Sequence, residues 1–122
     1  MSGVVRKGSV ADRGAGPARS EDPDDDLVFK ALASPVRRRM LDVLKESERT
    51  TGRLCEAFGE LDRTTVLQHL RVLERAGLVV GTKVGRERRL TLAPLPIRRI
   101  YRRWIADYMD AAVDLLEDLG AE

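Results

Sequence analysis

The sequence predicts a mainly α fold with a small β-hairpin: about five helices and two short strands. Three observations predict it. Apolar residues recur at helical spacing from Leu27 to Gly77, the spacing drops to two between Leu78 and Leu92, and helical spacing returns from Ile97 to Leu119. At 122 residues the chain is one small domain, with little room for a buried catalytic cavity. Its 43% hydrophobic content suffices for a core, and its 34% charged content places much of the chain at the surface. No apolar run reaches the ~18 to 20 residues of a membrane span. The N-terminus lacks the apolar stretch of a signal peptide, so a cytoplasmic location is expected and no membrane. A single cysteine excludes an intramolecular disulfide framework and fits a reducing compartment.

Residues 1–23 hold four glycines, two prolines and mixed charge without a period, the composition of a disordered tail. Asp24, Asp25 and Asp26 favour the start of a helix running to about Ala33, with Leu27, Val28, Ala31 and Leu32 on its apolar side. Ser34 and Pro35 are N-cap and first-turn residues for a second helix. Val36, Met40, Leu41 and Leu44 form its buried stripe. Arg37, Arg38 and Arg39 give it a basic patch, either a solvated face or, beside a nucleic acid, one or two phosphate contacts. Thr50 or Thr51 then caps a short helix with Leu54, Ala57 and Phe58 inward.

The chain is organised around the next stretch, DRTTVLQHLRVLERAGL from Asp62 to Leu78. Val66, Leu70, Leu73 and Gly77 share one helical face. Thr64, Thr65, Gln68, Arg71 and Arg75 share the other. Asp62 serves as N-cap and Gly77 as the C′ residue. A short helix, a glycine-containing turn and a second helix make a helix-turn-helix over Thr51 to Ala76. Leu78–Val80 and Arg89–Leu92 then read as strands joined by a basic connection, Gly81 to Arg88, which in this position is a wing. Net charge, +2 overall, peaks at +4 over residues 62–93. Hydroxyls, an amide and guanidinium forks on one face are the groups that read base edges and phosphates in a major groove. Thr64, Thr65 and Gln68 are therefore expected to read bases. Arg63, Arg71, Lys83, Arg86 and Arg88 are expected to hold phosphate, although the wheel turns the Cα of Arg63 toward the core. Eighteen of the 22 basic residues are arginine, which suits bidentate contacts and equally reflects a GC-rich coding bias.

Ile97, Tyr101, Trp104, Tyr108, Ala112, Leu115 and Leu119 space a last helix of about 22 residues, roughly 33 Å long. Ile100, Ile105, Met109, Val113 and Leu116 widen its apolar face beyond one stripe. One edge is expected on the domain and the other on the same helix of a second subunit. Domain bounds follow: a tail over 1–23, a DNA-binding domain over 24–93 and a dimerisation helix over 94–122.

Three pieces together resemble the ArsR/SmtB family of small winged-helix bacterial repressors. They are ALASPVRRRMLDVLKESERTTGRL (Ala31–Leu54), TTVLQHLRVLERAGLV (Thr64–Val79) and ERRLTL (Glu87–Leu92), within a match from about Leu27 to Tyr108. The resemblance implies a nucleoid-associated homodimer built on the first and last helices, with Leu27, Tyr101, Trp104, Tyr108, Ala112 and Leu115 at its interface. It implies two recognition helices on a palindromic operator in double-stranded DNA, released or engaged by an effector. Two departures stand out. The family's contact serine before Gln68 is Leu67, an apolar side chain suited to a thymine methyl. Its metal ligands are also missing: Cys55 occupies the first position of a cysteine pair whose second position is Ala57, and the last helix offers Asp107, Asp110 and Asp114 without a histidine. No metal site and no cofactor are expected. An unidentified small-molecule effector would meet the large aromatic groups, Trp104 and Tyr108.

His69 lies on the border of the two faces and reads as a structural residue hydrogen-bonded there. Cys55 reads as a partly buried structural thiol, with a Cys55-based redox sensor as the other reading. A winged-helix interaction protein that pairs through its last helix without touching DNA is the rival function. An enzyme is not expected. The sequence offers no nucleophile–base pair, no phosphate-cradling glycine loop and no convergent carboxylates, and Asp107, Asp110 and Asp114 have the spacing of a solvated face.

Overall fold

The structure, a computed structural model, describes residues 23–120. The expected tail over 1–23 lies outside the described residues except for its last position, Pro23, which opens the first helix. In chain order the elements are α1 (Pro23–Leu32), α2 (Pro35–Glu46), β1 (Arg49–Thr50), α3 (Thr51–Ala57), α4 (Arg63–Arg75), β2 (Val79–Val84) and β3 (Glu87–Leu92). A last helical rod follows, made of α5 (Leu95–Ile100), a π-helical turn (Tyr101–Ile105) and α6 (Ala106–Gly120).

Local chemistry sets the helix starts. The Ser34 hydroxyl accepts from the Arg37 backbone N–H at 3.2 Å, Thr50 from that of Arg53 at 3.1 Å, and the Asp62 carboxylate from that of Thr65 at 2.8 Å. The end of α4 is a Schellman motif: the Gly77 N–H reaches the Glu74 carbonyl and the Leu78 N–H reaches that of Leu73, both at 3.0 Å. Gly77 takes φ +77°, a conformation that costs a side-chain-bearing residue steric strain. Leu73 and Leu78, the pair this motif brings together, are both fully buried.

One core unites the helices and the sheet. Val28 and Ala31 of α1, Met40, Leu41 and Leu44 of α2, and Leu54 and Phe58 around α3 meet Val66, Leu70 and Leu73 of α4. Leu78, Val79, Leu90 and Ile100 close it. Ala57, expected inward, is exposed. Seven residues of α3 carry one buried side chain, and Phe58, the non-helical cap, fills the remaining inward space.

The strands are longer than expected and the connection shorter. Val84 pairs with Glu87, which leaves Gly85 and Arg86 as the turn, and the ladder runs to Val79 opposite Leu92. Gly85 takes φ +64°, as such a tight turn requires of one of its residues. Residues Gly81 to Val84, read as connection because they are polar and glycine-containing, are strand because β3 supplies their hydrogen-bond partners. A third strand joins the hairpin: β1 pairs antiparallel with β3, Arg49 opposite Leu90 and Thr50 opposite Arg89, giving the order β1-β3-β2. This short strand ties the wing to the front of α3.

The last rod spans residues 95–120, about 39 Å at 1.5 Å per residue. Its root is anchored by Ile100, which is buried, with Ile97 and Ile105 packed against the core. Beyond the π-helical turn nothing on α6 is buried, and Tyr108, Met109, Val113, Leu115, Leu116 and Leu119 are all exposed.

Candidate nucleic-acid interface

The exposed face of α4 and the hairpin beside it present polar and basic side chains to solvent, with Val80 and Val84 of β2 exposed among them. Thr64, Gln68 and Arg71 are exposed and Thr65 is half-buried. Lys83 and Arg86 are exposed at and beside the hairpin turn. Arg63 is also exposed, contrary to the wheel. As the first helical residue it has no preceding turn to cover it, and it shares a 320 Å³ cleft with Arg86, Thr50 and Thr51. The fold thus brings the start of α4 and the wing tip, 23 positions apart in sequence, to one cleft.

Among the described residues, Arg63, Arg71, Lys83 and Arg86 have no ion-pair partner, so their charge is available to a polyanion. Arg88 differs from this group. Its guanidinium is ion-paired with Glu74 on α4 and lies over Gly81, where an added Cβ would come within 2.3 Å of Cζ. Arg88 and Glu74 therefore tether the wing to the helix. Thr51 reinforces that tie by donating its hydroxyl to the Arg88 carbonyl at 3.4 Å.

The basic patch on α2 is engaged within the chain. Arg37 donates to the Ala31 carbonyl at 2.8 Å and the Lys30 carbonyl at 2.9 Å, and Arg38 donates to the Leu32 carbonyl at 2.7 Å. These carbonyls belong to the last turn of α1, where that of Lys30 also accepts from the Ala33 N–H at 3.2 Å, so the two arginines act as its C-terminal cap. Arg39 pairs with Glu60 at 2.9 Å and lies 5.2 Å from the Phe58 ring centroid.

His69 is a structural residue at the edge of the interface. Arg37 Nη1 stands 3.0 Å from its Nδ1, and a guanidinium only donates, so the neutral ring carries its proton on Nε2. Burial first, and then the Arg37 charge, hold the imidazole below its ordinary pKa. The Asp62 carboxyl is likewise held below its usual range by the Thr65 backbone N–H. Leu67 is half-buried against the core beside Leu70. Cys55 is a free, half-buried thiol.

Sequence reasoning missed Glu74 and Asp25. Glu74 is separated from Arg88 by a helix end and a hairpin strand, and no periodicity links them. Asp25, read as one of three acids at a helix start, is 9% exposed. Arg103 donates to it at 2.9 Å and Arg99 at 3.4 Å, so it clamps the root of the last rod to α1. Phe29 of α1 meets Trp104 edge-on, with 5.8 Å between ring centroids, and Trp104 stands 5.0 Å from Tyr108. Of the residues expected at a subunit interface, Tyr101, Trp104, Tyr108, Ala112 and Leu115 are exposed and Leu27 is half-buried. A 390 Å³ cleft lined by Asp25, Asp26, Phe29, Ile100, Arg103 and Trp104 opens at this junction, and Tyr108 is not part of its lining.

Among the described residues, no helix is long and apolar enough to cross a membrane. No group of three histidine, cysteine, aspartate or glutamate side chains among them is placed to hold a metal ion.

Residues 32–82 match a helix-turn-helix domain family. The uncharacterised HTH-type transcriptional regulator Rv0081 of Mycobacterium tuberculosis is 34% identical over 96 residues, covering 76% of this chain and 84% of the relative. The HTH-type transcriptional repressor SmtB of the same organism is 40% identical over 60 residues, covering 49% and 44%. The crystal structure of an ArsR family transcriptional regulator superposes with a TM-score of 0.65 at 26% identity, over 75% of this chain and 93% of that one. With its capped α4, its tethered wing and these relatives, the chain belongs to the ArsR/SmtB family of winged helix-turn-helix, DNA-binding transcriptional regulators.

Proposed function

We propose that the protein is a cytoplasmic, nucleoid-associated repressor that binds a palindromic operator as a homodimer. The observation that carries the DNA half is a set of cations that have no ion-pair partner among the described residues, Arg63, Arg71, Lys83 and Arg86, around the exposed Thr64 and Gln68 on α4. Thr64, Thr65 and Gln68 read base edges, and the four cations hold phosphate. Arg88 fixes the wing through Glu74 and lends its remaining donors to the backbone. Domain bounds of 24–93 for DNA binding and 94–122 for dimerisation follow from this division. The dimer half rests on the rod: exposed Tyr101, Trp104, Tyr108, Ala112 and Leu115, with Leu27 of α1, form an apolar surface that a second copy covers. An unidentified small-molecule effector acts near that junction, where Trp104 lines the 390 Å³ cleft.

Fluorescence anisotropy on the DNA upstream of the protein's own gene tests this, with a random duplex of equal length as the control. A repressor of this kind binds the upstream duplex more tightly at moderate salt, with two chains per site. Equal affinity for both duplexes removes the sequence-reading half. No binding to either favours the rival, a winged-helix interaction protein that pairs without DNA.

A further inference from the structure

A groove on the described surface shares no lining residue with the DNA face or with the Trp104 cleft. It encloses 680 Å³ between α2, the end of β3 and the root of the last rod. Leu32, Leu41, Leu92, Pro94 and Ile97 form an apolar floor, and Tyr101 stands at one edge. Arg38, Lys45 and Arg98 rim it, against one acid, Asp42. The volume falls in the roughly 300–1,000 Å³ of small-molecule pockets.

The geometry points to a binding site for an anionic amphiphile, a medium-chain carboxylate whose tail lies on the floor and whose head meets Arg98 and Lys45. Charge selects both the ligand class and the place. Among the described residues Arg98 has no ion-pair partner, and Lys45 is paired with Asp42 at 3.7 Å in an exposed contact that costs little to exchange. Arg38 is held at the rim by its bond to the Leu32 carbonyl. Two other apolar surfaces are acidic and disfavour an anion. α6 carries Asp107, Asp110, Asp114, Glu117 and Asp118 and no basic residue, and the Trp104 cleft has Asp25 and Asp26 against Arg103. An organic cation would be sorted the opposite way. Because β3 and the rod root are both walls of the groove, its occupant touches the wing strand and the dimerisation element at once.

Isothermal titration of the full chain with sodium decanoate, without DNA, tests this site separately from the repressor reading. Saturable binding of one decanoate per chain is expected, with decyltrimethylammonium at least tenfold weaker. The double reversal Arg98→Glu with Lys45→Glu, both exposed and outside the core, is expected to weaken decanoate about tenfold, or 1.4 kcal/mol, with unchanged circular dichroism. Equal binding of the two amphiphiles, or no saturable binding, overturns the proposal. So does a double reversal that leaves decanoate affinity unchanged. A double reversal that splits a dimer without altering decanoate binding gives the groove to a second copy of the chain, which also overturns it.

Discussion

Arg37 donates from Nη1 to Nδ1 of His69 at 3.0 Å, joining the start of α2 to the middle of α4. The same guanidinium caps the end of α1 through the Lys30 and Ala31 carbonyls, so one side chain locks three helices together. Protonation of His69 would set two donors and two positive charges against each other. This link between α2 and α4 thus depends on a neutral ring.

This dependence has a definite sign. His69 titrates below its ordinary 6.5 in the folded chain, with burial and then Arg37 as the causes. Its contribution is fully present above the unfolded value and is lost as pH falls through 6.5 toward the lower folded value, because the unfolded chain takes up the proton first. Urea unfolding at pH 7.5 and pH 5.5 should therefore show lower stability at the acidic pH. In His69→Gln the difference between the two pH values should shrink. Glu60 and Asp62, both held below their usual carboxylate values, titrate outside this window. An equal pH step in the variant would place its source elsewhere.

Base reading and phosphate holding separate by mutation. Gln68→Ala removes an exposed amide from the centre of α4 and should reduce discrimination between operator and random DNA, by about 1–3 kcal/mol if the contact is bidentate. Arg86→Ala at the wing tip should weaken both duplexes alike and reduce the slope of log affinity against log salt by about 1. Anisotropy titrations at three salt concentrations check both. A Gln68→Ala variant with undiminished discrimination would move base reading to other residues.

Much of the fold was legible because its signals are local. The caps at Ser34 and Asp62 and the glycine at position 77 are one-turn chemistries that stand where the sequence places them, and of the two threonines it offers for the next cap the structure uses Thr50. The buried stripe of Val66, Leu70 and Leu73 follows from period alone. What escaped is long-range. Strand β1 is two residues long and polar, so only its partner β3 makes it a strand. The π-helical turn lies inside an uninterrupted helical pattern, and nothing in its composition separates it from the flanking turns. At the interface, the exposed face of α4 was readable as a face. The Arg88–Glu74 tether and the engagement of Arg37, Arg38 and Arg39 were not, because each needs a partner that only the folded chain supplies.

The clamp at the rod root has a measurable stability. Asp25→Ala removes the carboxylate that accepts from Arg99 and Arg103. Bonds between charged groups contribute roughly 1.5–3 kcal/mol, and the two arginines are 42% and 43% exposed and regain water when released. A loss of about 1–2 kcal/mol in urea unfolding, at unchanged m-value, is the expected outcome. A loss near zero would mean that the carboxylate adds little to the packing of Ile97, Ile100 and Ile105 and the Phe29–Trp104 contact at the rod root.

The last prediction concerns the outer part of the rod. Leu115 and Leu116 are 63% and 68% exposed, and no residue of α6 is buried. Replacing both with glutamate should leave the unfolding free energy of the single domain nearly unchanged, since neither side chain contributes to its core. In a dimer the same change places two charges per chain in an apolar seam, where an unpaired charge is costly. Sedimentation velocity should then show a monomer where the parent chain is a dimer. Operator affinity should fall with it, because a palindrome is held by two recognition helices on one assembly, and separate monomers lose the second, effectively intramolecular contact. Binding to a single half-site should be retained, which distinguishes lost pairing from a damaged α4. A variant that stays dimeric would show that the pairing runs through Leu27, Phe29 and Trp104 at the rod root and leaves α6 to another partner.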